Sequence, residues 1–168
     1  MNFQEKWRKL LLPLRYGGSG VDFKKLDPAR SPFLQDRDRI IYSSSFRRLA
    51  RKTQVHPLVR NDHIHTRLSH SLEVSSVGRS LGAMAGYFLR RRDELPEYAA
   101  PEFPGQILEA ACLAHDIGNP PFGHAGEKAI SSFFSEGEGR HLQDYVAPVT
   151  GERLTPSQWN DITRFDGN

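Results

Sequence analysis

The sequence predicts an all-α protein, and three of its features support that prediction. Apolar residues recur at spacings of three and four along several segments, which is the period of an amphipathic helix. β-Branched residues are scarce, and no segment sustains the alternation that marks a strand, except that a short hairpin is conceivable within 53–65. Capping residues, prolines and glycines stand at the ends of the helical segments.

The composition is that of a folded globular protein, and its basic runs suit either a polyanionic partner or solvated helix faces. The 168 residues are 38% hydrophobic and 26% charged, which excludes a disordered tail. The net charge of +3 suits a nucleotide or a nucleic acid. Cys112 is the single cysteine, no run is apolar enough for a membrane helix, and the first residues lack the apolar core of a signal peptide. We therefore expect a cytoplasmic protein with no membrane contact.

The first part of the chain contains a short helix, a connector and a second helix. Residues 1–30 hold an amphipathic piece at 3–14 and then a glycine-rich connector. The next helix begins at Pro32, with Ser31 as its cap, and runs towards Lys52. A loop is expected to follow it.

A long helix is predicted over residues 66–92. Its apolar residues share one face, and they are Val74, Val77, Leu81, Ala85 and Phe88. His70 lies four positions before the first of them, so it is expected to continue that buried face near the helix start.

A second core helix follows a proline-rich linker. The apolar residues of this helix are Leu108, Ala111 and Cys112. His115 lies three and four residues beyond the last two, so it is expected to point inward as well. Gly118 and the prolines after it end the helix.

A further helix is expected at 123–134, where His124 and Glu127 lie three residues apart on one face. Residues 31–134 thus form the predicted helical core. Residues 135–168 are predicted to be a polar linker followed by the start of another helix.

Two histidines and an aspartate in these helices have the chemistry of a metal site. The imidazoles of His70 and His115 and the carboxylate of Asp116 suit a divalent cation that holds water and phosphate at once. A single histidine on an apolar face is more often a hydrogen-bonded core residue than a ligand. A carboxylate in so apolar a helix needs a partner, however, and a cation shared with two imidazoles provides one.

Three blocks of the sequence resemble the HD-domain phosphohydrolases and, within them, the deoxyguanosine triphosphate triphosphohydrolases. The blocks are FRRLARKTQV at 46–55, TRLSHSLEV at 66–74 and HDIGNPPFGHAGE at 115–127. The resemblance covers residues 30–130 nearly without gaps, and 164–168 resemble one more family block cut short. It implies an all-α, HD-domain helical fold that is truncated after the third or fourth core helix.

The resemblance implies that His70, His115 and Asp116 bind a divalent metal together with a distal aspartate. Mn²⁺ or Mg²⁺ is expected, and Fe, Ni or Co is compatible with these ligands. Asp161 and Asp166 are acidic residues late in the sequence, but their surroundings do not match those of the family's distal aspartate. Three of the four ligands are therefore assigned.

The resemblance also implies catalytic and substrate-binding roles. His124 gives or takes a proton at the α-phosphate, and Glu127 fixes its tautomer. Arg67 binds phosphate oxygens with its planar donor fork, and Gln54 binds the deoxyribose. The plainer interpretations are a helix-surface contact for His124 and Glu127, a solvated arginine for Arg67 and a polar loop residue for Gln54. The other histidines carry no assigned role: His56, His63 and His65 look loop-bound, either solvent-facing or behind the ligands, and His141 carries no motif.

The expected function is metal-dependent hydrolysis of a deoxynucleoside triphosphate to a deoxynucleoside and inorganic triphosphate, by this chain or by an enzyme of which it is the N-terminal fragment. The alternative is a catalytically inactive, truncated chain that binds nucleotide, single-stranded nucleic acid or other subunits. Hydrolysis of another phosphate ester is a third hypothesis, which the match around Gln54 disfavours. A truncated chain is expected to bind metal weakly and to associate, and the full-length form is expected to be a homo-oligomer.

Overall fold

The computed structural model describes residues 3–14, 27, 29–54 and 65–166. Within these ranges the regular elements are helical, apart from isolated antiparallel bridges at Thr53–Thr66 and Val146–Arg153. The predicted all-α class is therefore confirmed. No helix in the described ranges is long and apolar enough to cross a membrane.

The chain forms two compact units, Met1–His115 and Asp116–Asn168. The predicted division at residues 31 and 134 stays a prediction. The glycine-rich connector and most of the predicted loop, with His56 and His63, lie outside the described residues.

The first unit contains most of the helical residues. Its helices are α1 (Phe3–Leu10), α2 (Pro32–Tyr42), α3 (Ser44–Arg48), α4 (Arg67–Arg91) and α5 (Phe103–Ala114), with a 3₁₀ turn at Leu49–Arg51. Ser31 caps α2 as predicted, because its Oγ accepts a hydrogen bond from the amide of Leu34 at 3.1 Å. Thr66 and Ser69 form a capping box at the start of α4. These local signals fix where both helices begin.

The predicted continuous helix from Pro32 to Lys52 is wrong, because the chain breaks at Ser43. The Ser43 hydroxyl donates to the carbonyl of Ile40 at 2.7 Å and accepts from the amide of Phe46 at 3.2 Å. One serine therefore caps the end of α2 and the start of α3. Serine side chains compete with helical hydrogen bonds in this way.

Helices α4 and α5 pack antiparallel along a seam of small residues. The seam residues of α4 are Ser71, Ser75, Gly78, Gly82 and Gly86, all of them buried. A Cβ atom placed on Gly82 would lie 2.6 Å from the Cα of Gly105, and one on Gly86 would lie 1.9 Å from the carbonyl oxygen of Pro101. The two backbones are therefore in direct contact.

This seam corrects the predicted buried faces of both helices. Val77, Leu81 and Phe88 of α4 are 59%, 58% and 53% exposed, and Leu108 of α5 is 42% exposed. Ala85 and Ala111 are exposed too. The apolar pattern failed because close backbone approach selects glycine and serine, which a search for large apolar residues overlooks.

The main hydrophobic core lies at the end of α4 opposite His70. Its buried residues are Leu11, Phe33, Leu89, Leu95, Ala99 and Phe103. Phe33 of α2 and Phe103 of α5 meet edge to face, with ring centroids 5.2 Å apart. The beginning of α4 and the end of α5 lie away from this core and are therefore available for polar side chains.

An ion pair joins α2 to α5. Arg37 Nε donates to Glu109 Oε1 at 2.8 Å, and the Glu109 side chain is only 8% exposed. The hydrogen bond with Glu109 raises the pKa of Arg37, although burial opposes this shift. Arg37 and Glu109 are far apart in the chain, so no local sequence signal indicates their pairing.

We expect Arg37→Met to destabilise the protein by about 1–3 kcal/mol, because it leaves the Glu109 carboxylate buried without its cation. The loss should be smaller than for a fully buried pair, since the Arg37 side chain is 35% exposed. Urea denaturation measures it. The control is Arg39→Met, which breaks the exposed pair with Asp36 on the same helix and should cost less than about 0.5 kcal/mol. Equal losses in the two variants would contradict the prediction.

The second unit is built from α6 (His124–Ser135), a 3₁₀ helix (Glu138–Asp144) and α7 (Pro156–Thr163). Thr155 and Gln158 form a capping box that begins α7. The Phe134 and Trp159 rings pack α6 against α7, with centroids 6.1 Å apart. The 3₁₀ helix was not predicted from its polar, glycine-containing sequence.

Candidate metal centre and associated residues

The antiparallel packing of α4 and α5 brings two histidines together. His70 lies in the first turn of α4, and His115 directly follows the last residue of α5. Their ring centroids are 5.3 Å apart, with the ring planes inclined at 69°. The two imidazoles predicted as ligands therefore face each other across the helix pair.

The hydrogen bond of His115 indicates which of its nitrogens carries the proton. Nδ1 lies 2.6 Å from the carbonyl oxygen of Cys112. Because a carbonyl can only accept, Nδ1 carries the proton and Nε2 carries the lone pair. Histidines that bind metals generally donate their other ring N–H in this manner.

The predicted inward orientation of His115 is wrong in one respect, because the residue is exposed. It follows α5 rather than belonging to its buried face, which runs through Glu109 and Leu113. His70 is half-buried. The two rings thus lie at an accessible edge of the helix pair.

Asp116 is the buried member of the group. It is 2% exposed, and its Oδ1 accepts a hydrogen bond from Asn119 Nδ2 at 3.1 Å. The turn at 115–118, with Gly118 at a φ of +97°, ends the helical course and brings Asn119 back to the carboxylate. Asn119 thereby holds the carboxylate in one orientation.

The donor set fits a divalent cation. His70, His115 and Asp116 each offer one ligand atom, and these atoms lie within 4.8 Å of one another. Two imidazoles and a carboxylate are a ligand set that first-row divalent metals accept. Asp161 and Asp166 are both exposed and belong to the second unit.

Gln54 and Arg67 are brought together at the start of α4. The amide of Gln54 donates to the carbonyl of His65 at 2.9 Å, and the amide of Arg67 donates to that of Lys52 at 2.9 Å. Arg67 is buried, contrary to its interpretation as a solvated arginine. Among the described residues, the buried Oε1 of Gln54 has no hydrogen-bond partner.

In the second unit, His124 and Glu127 form a direct pair. His124 Nδ1 lies 2.8 Å from Glu127 Oε2. The glutamate side chain is 10% exposed and the histidine side chain is 87% exposed. Because the carboxylate accepts, Nδ1 carries the proton of this hydrogen bond.

The turn before α6 sets the position of this pair. Phe122 and Gly123 both adopt positive φ angles, 67° and 53°. A Cβ atom on Gly126 would lie 2.2 Å from the carbonyl oxygen of Pro121, so only glycine lets the turn pack on the first turn of α6. His141 is exposed, and its Nδ1 donates to the carbonyl of Glu138.

His65 and Glu73 form a contact that the sequence pattern did not indicate, since His65 was predicted to lie in a loop. His65 precedes the cap of α4, and its Nε2 lies 3.5 Å from Glu73 Oε2. The ligand atoms of His65, His70 and Glu73 also lie within 4.8 Å of one another. Spacing of His70 and Glu73 by one helical turn was the signal that could have identified this group.

Comparison with known proteins identifies relatives over nearly the whole chain. It is 50% identical over 162 residues to a deoxyguanosinetriphosphate triphosphohydrolase-like protein of Pseudomonas aeruginosa (strain LESB58), covering 96% of this chain and 34% of that protein. It is 48% identical to a protein of the same description from Synechocystis sp., covering 97% of this chain and 35% of the relative.

A third relative is named without the word 'like'. The chain is 42% identical over 155 residues to the deoxyguanosinetriphosphate triphosphohydrolase of Salmonella typhimurium, covering 81% of this chain and 31% of that protein. The chain thus spans about a third of the length of the curated relatives it matches.

The HD domain family matches residues 67–153, which is just over half of the chain. The match begins at the first residue of α4 and includes both histidines of the candidate metal centre, together with Asp116 and the His124–Glu127 pair. With an all-α fold and relatives among the deoxyguanosinetriphosphate triphosphohydrolase-like proteins, the chain belongs to the HD domain family.

Proposed function

We propose that this chain provides the metal-binding and catalytic residues of a deoxynucleoside triphosphate triphosphohydrolase. The reaction is hydrolysis of a substrate such as dGTP to a deoxynucleoside and inorganic triphosphate. The observation that carries the proposal is the convergence of the His70, His115 and Asp116 ligand atoms within 4.8 Å. The printed names of the relatives supply the substrate class.

In this proposal, His70, His115 and Asp116 hold one divalent cation, with Mn²⁺ or Mg²⁺ favoured. When bound, such a cation supplies positive charge that activates water and neutralises phosphate oxygens. The Cys112 carbonyl keeps Nε2 of His115 free of its proton, and Asn119 keeps the Asp116 carboxylate oriented.

Arg67 and Gln54 provide the substrate contacts. The guanidinium of Arg67 would bind phosphate oxygens, and its burial makes a charged ligand more valuable there than on an open surface. The Gln54 Oε1 atom would accept a hydrogen bond from a deoxyribose hydroxyl. Both residues start from the same bridge of backbone hydrogen bonds, so the sugar and phosphate contacts are coupled in position.

His124 and Glu127 provide the proton transfer. Water adds to the α-phosphorus, the bond from phosphorus to the 5′ oxygen breaks, and that oxygen takes up a proton. Nε2 of His124 is the atom that would take a proton from water or return one to the leaving oxygen. The largely buried Glu127 keeps Nδ1 protonated and the ring oriented.

The test uses a version that carries the further segment found in the relatives, incubated with dGTP and Mn²⁺. Anion-exchange chromatography should separate deoxyguanosine and inorganic triphosphate in equal amounts. Release of diphosphate or of single phosphate instead would overturn the assigned reaction, because a phosphoanhydride bond would then be broken rather than the bond from the α-phosphorus to the 5′ oxygen.

In the same assay, we expect His124→Ala to lower the rate by about 10²–10⁴-fold, the usual contribution of a general acid or base. Glu127→Gln should lower the rate about 10–100-fold, since the amide no longer fixes the tautomer of His124. Glu136→Gln, at the exposed end of the same helix, is the matched control and should leave the rate unchanged. Full activity of His124→Ala would exclude this role.

Association of two copies is the second candidate function, and an exposed stripe on α4 favours it. Val77, Leu81, Met84 and Phe88 are each more than half exposed, and their spacing of four, three and four is that of a helix-pair seam. A second copy of α4 would complement this stripe. Sedimentation velocity should show a dimer of this chain that Leu81→Glu disrupts, whereas Ser80→Glu, on the neighbouring exposed position, should retain it. A monomer at all concentrations would eliminate this candidate.

A further inference from the structure

We propose that His65 and Glu73, beside His70, form a second divalent-cation site. The three residues belong to the first unit and flank the beginning of α4. Their ligand atoms lie within 4.8 Å of one another. The group combines two imidazoles with a carboxylate, as the first group does, but it uses Glu73 in place of Asp116.

His70 has ring contacts with two other histidines. The His65 and His70 rings are 6.0 Å apart, and the His70 and His115 rings are 5.3 Å apart. Glu73 contacts His65, and Asp116 follows His115 in the chain. His70 is thus shared by two potential ligand groups.

The contact between His65 and Glu73 is a poor hydrogen bond. The distance of 3.5 Å from Nε2 to Oε2 exceeds the usual range for a nitrogen donor, about 2.7–3.2 Å. Both side chains are well exposed, at 45% and 66%, so an ion pair between them would contribute little to stability. A cation between the two groups would satisfy both of them.

Backbone contacts hold the site in place. The carbonyl of His65 accepts from the amide of Gln54 at 2.9 Å, and Thr66 next to it caps α4. Glu73 follows His70 by three residues on the same helix, so their side chains share one face. The positions of all three donors therefore depend on the start of one helix.

Sharing of His70 sets the relative affinities of the two sites. A neutral imidazole has a single lone pair, so His70 binds a cation in one group or in the other. When His70 binds with His115 and Asp116, the second site retains only His65 and Glu73.

Two protein ligands leave most coordination positions to water or to phosphate oxygens. The second site is therefore the weaker one, and it suits a cation that arrives with a polyphosphate. Only the identity of this phosphate ligand rests on the proposed function.

The test is a Mn²⁺ titration of this chain followed by electron paramagnetic resonance. The wild-type chain should bind a stronger and a weaker Mn²⁺, and at saturation the spectrum should show magnetic coupling between the two ions. Glu73→Gln and His65→Asn should each weaken the second class by at least about tenfold and abolish the coupling, while leaving the first class unchanged. Glu97→Gln and His141→Asn are the matched controls and should retain both classes.

A His115→Ala variant sharpens the test, because it releases His70 to the second group. The second class should then bind Mn²⁺ more tightly than in the wild type, although the first class is lost. The proposal is overturned if no second ion binds, if the second ion is uncoupled, or if it persists in Glu73→Gln and His65→Asn. It is also overturned if Glu73→Gln weakens the first class, because Glu73 would then orient His70 rather than bind a cation. None of these outcomes depends on triphosphohydrolase activity.

Discussion

Replacing His115 with alanine is expected to lower the affinity for the first divalent cation by at least about 100-fold. Loss of a residue that only orients a metal ligand lowers the metal affinity about 10–100-fold, and loss of the ligand itself lowers it at least as much. The His115 Nε2 atom is the donor whose protonation state the hydrogen bond to Cys112 fixes. Asp116→Asn should have a comparable effect, because a neutral amide is a weaker ligand than a carboxylate.

Bound metal is measured by elemental analysis after equilibrium dialysis against Mn²⁺. His141→Ala is the matched control, since His141 is exposed and bonded only to a neighbouring carbonyl among the contacts described. Circular dichroism verifies that each variant retains its helices. Unchanged occupancy in His115→Ala would remove the basis of the proposed metal centre.

The second large effect concerns stability, and it comes from Gly86→Ala. A Cβ atom at this position would lie 1.9 Å from the carbonyl oxygen of Pro101 and 2.9 Å from its carbonyl carbon. Since both atoms belong to the backbone, no side-chain rotation relieves the overlap. We expect a loss of about 3 kcal/mol or more, at the upper end for an overpacked interior.

Thermal and urea denaturation measure this loss. The control is Ser80→Ala, an exposed position of the same helix, where the change should stay within about 0.5 kcal/mol. Gly82→Ala brings a Cβ within 2.6 Å of the Gly105 Cα, so its loss of stability should be close to that of Gly86→Ala. Wild-type stability of both glycine variants would show that the seam is looser than described.

The sequence predicts those parts of the fold that depend on local signals. Ser31, Thr66 and Thr155 mark the beginnings of α2, α4 and α7, because a capping side chain needs only the amides that follow it. The break at Ser43 was missed, since a serine tolerates both a helix interior and a cap. The buried face of α4 was missed because it depends on α5, which is distant in sequence.

The candidate site shows the same division. The proximity of His70 and His115 was expected from their places near helix ends, whereas the accessibility of His115 depends on how the chain turns after α5. The contact between His65 and Glu73 cannot be predicted from local sequence, because it requires the backbone bridge that places His65 at the start of α4. The roles of Gln54, Arg67, His124 and Glu127 stay predictions that the experiments above address.

The glycine and serine seam has a consequence for how metal selectivity can change. Because main-chain atoms touch along α4 and α5, the spacing between the His70 and His115 backbones cannot be adjusted by alternative rotamers in the seam. In the proposed metal centre, the coordination geometry would therefore adjust through the side-chain torsions of His70 and His115 and through the turn that carries Asp116. A residue larger than glycine in the seam would therefore alter the ion preference of the proposed metal centre, although it would contact none of the proposed ligands.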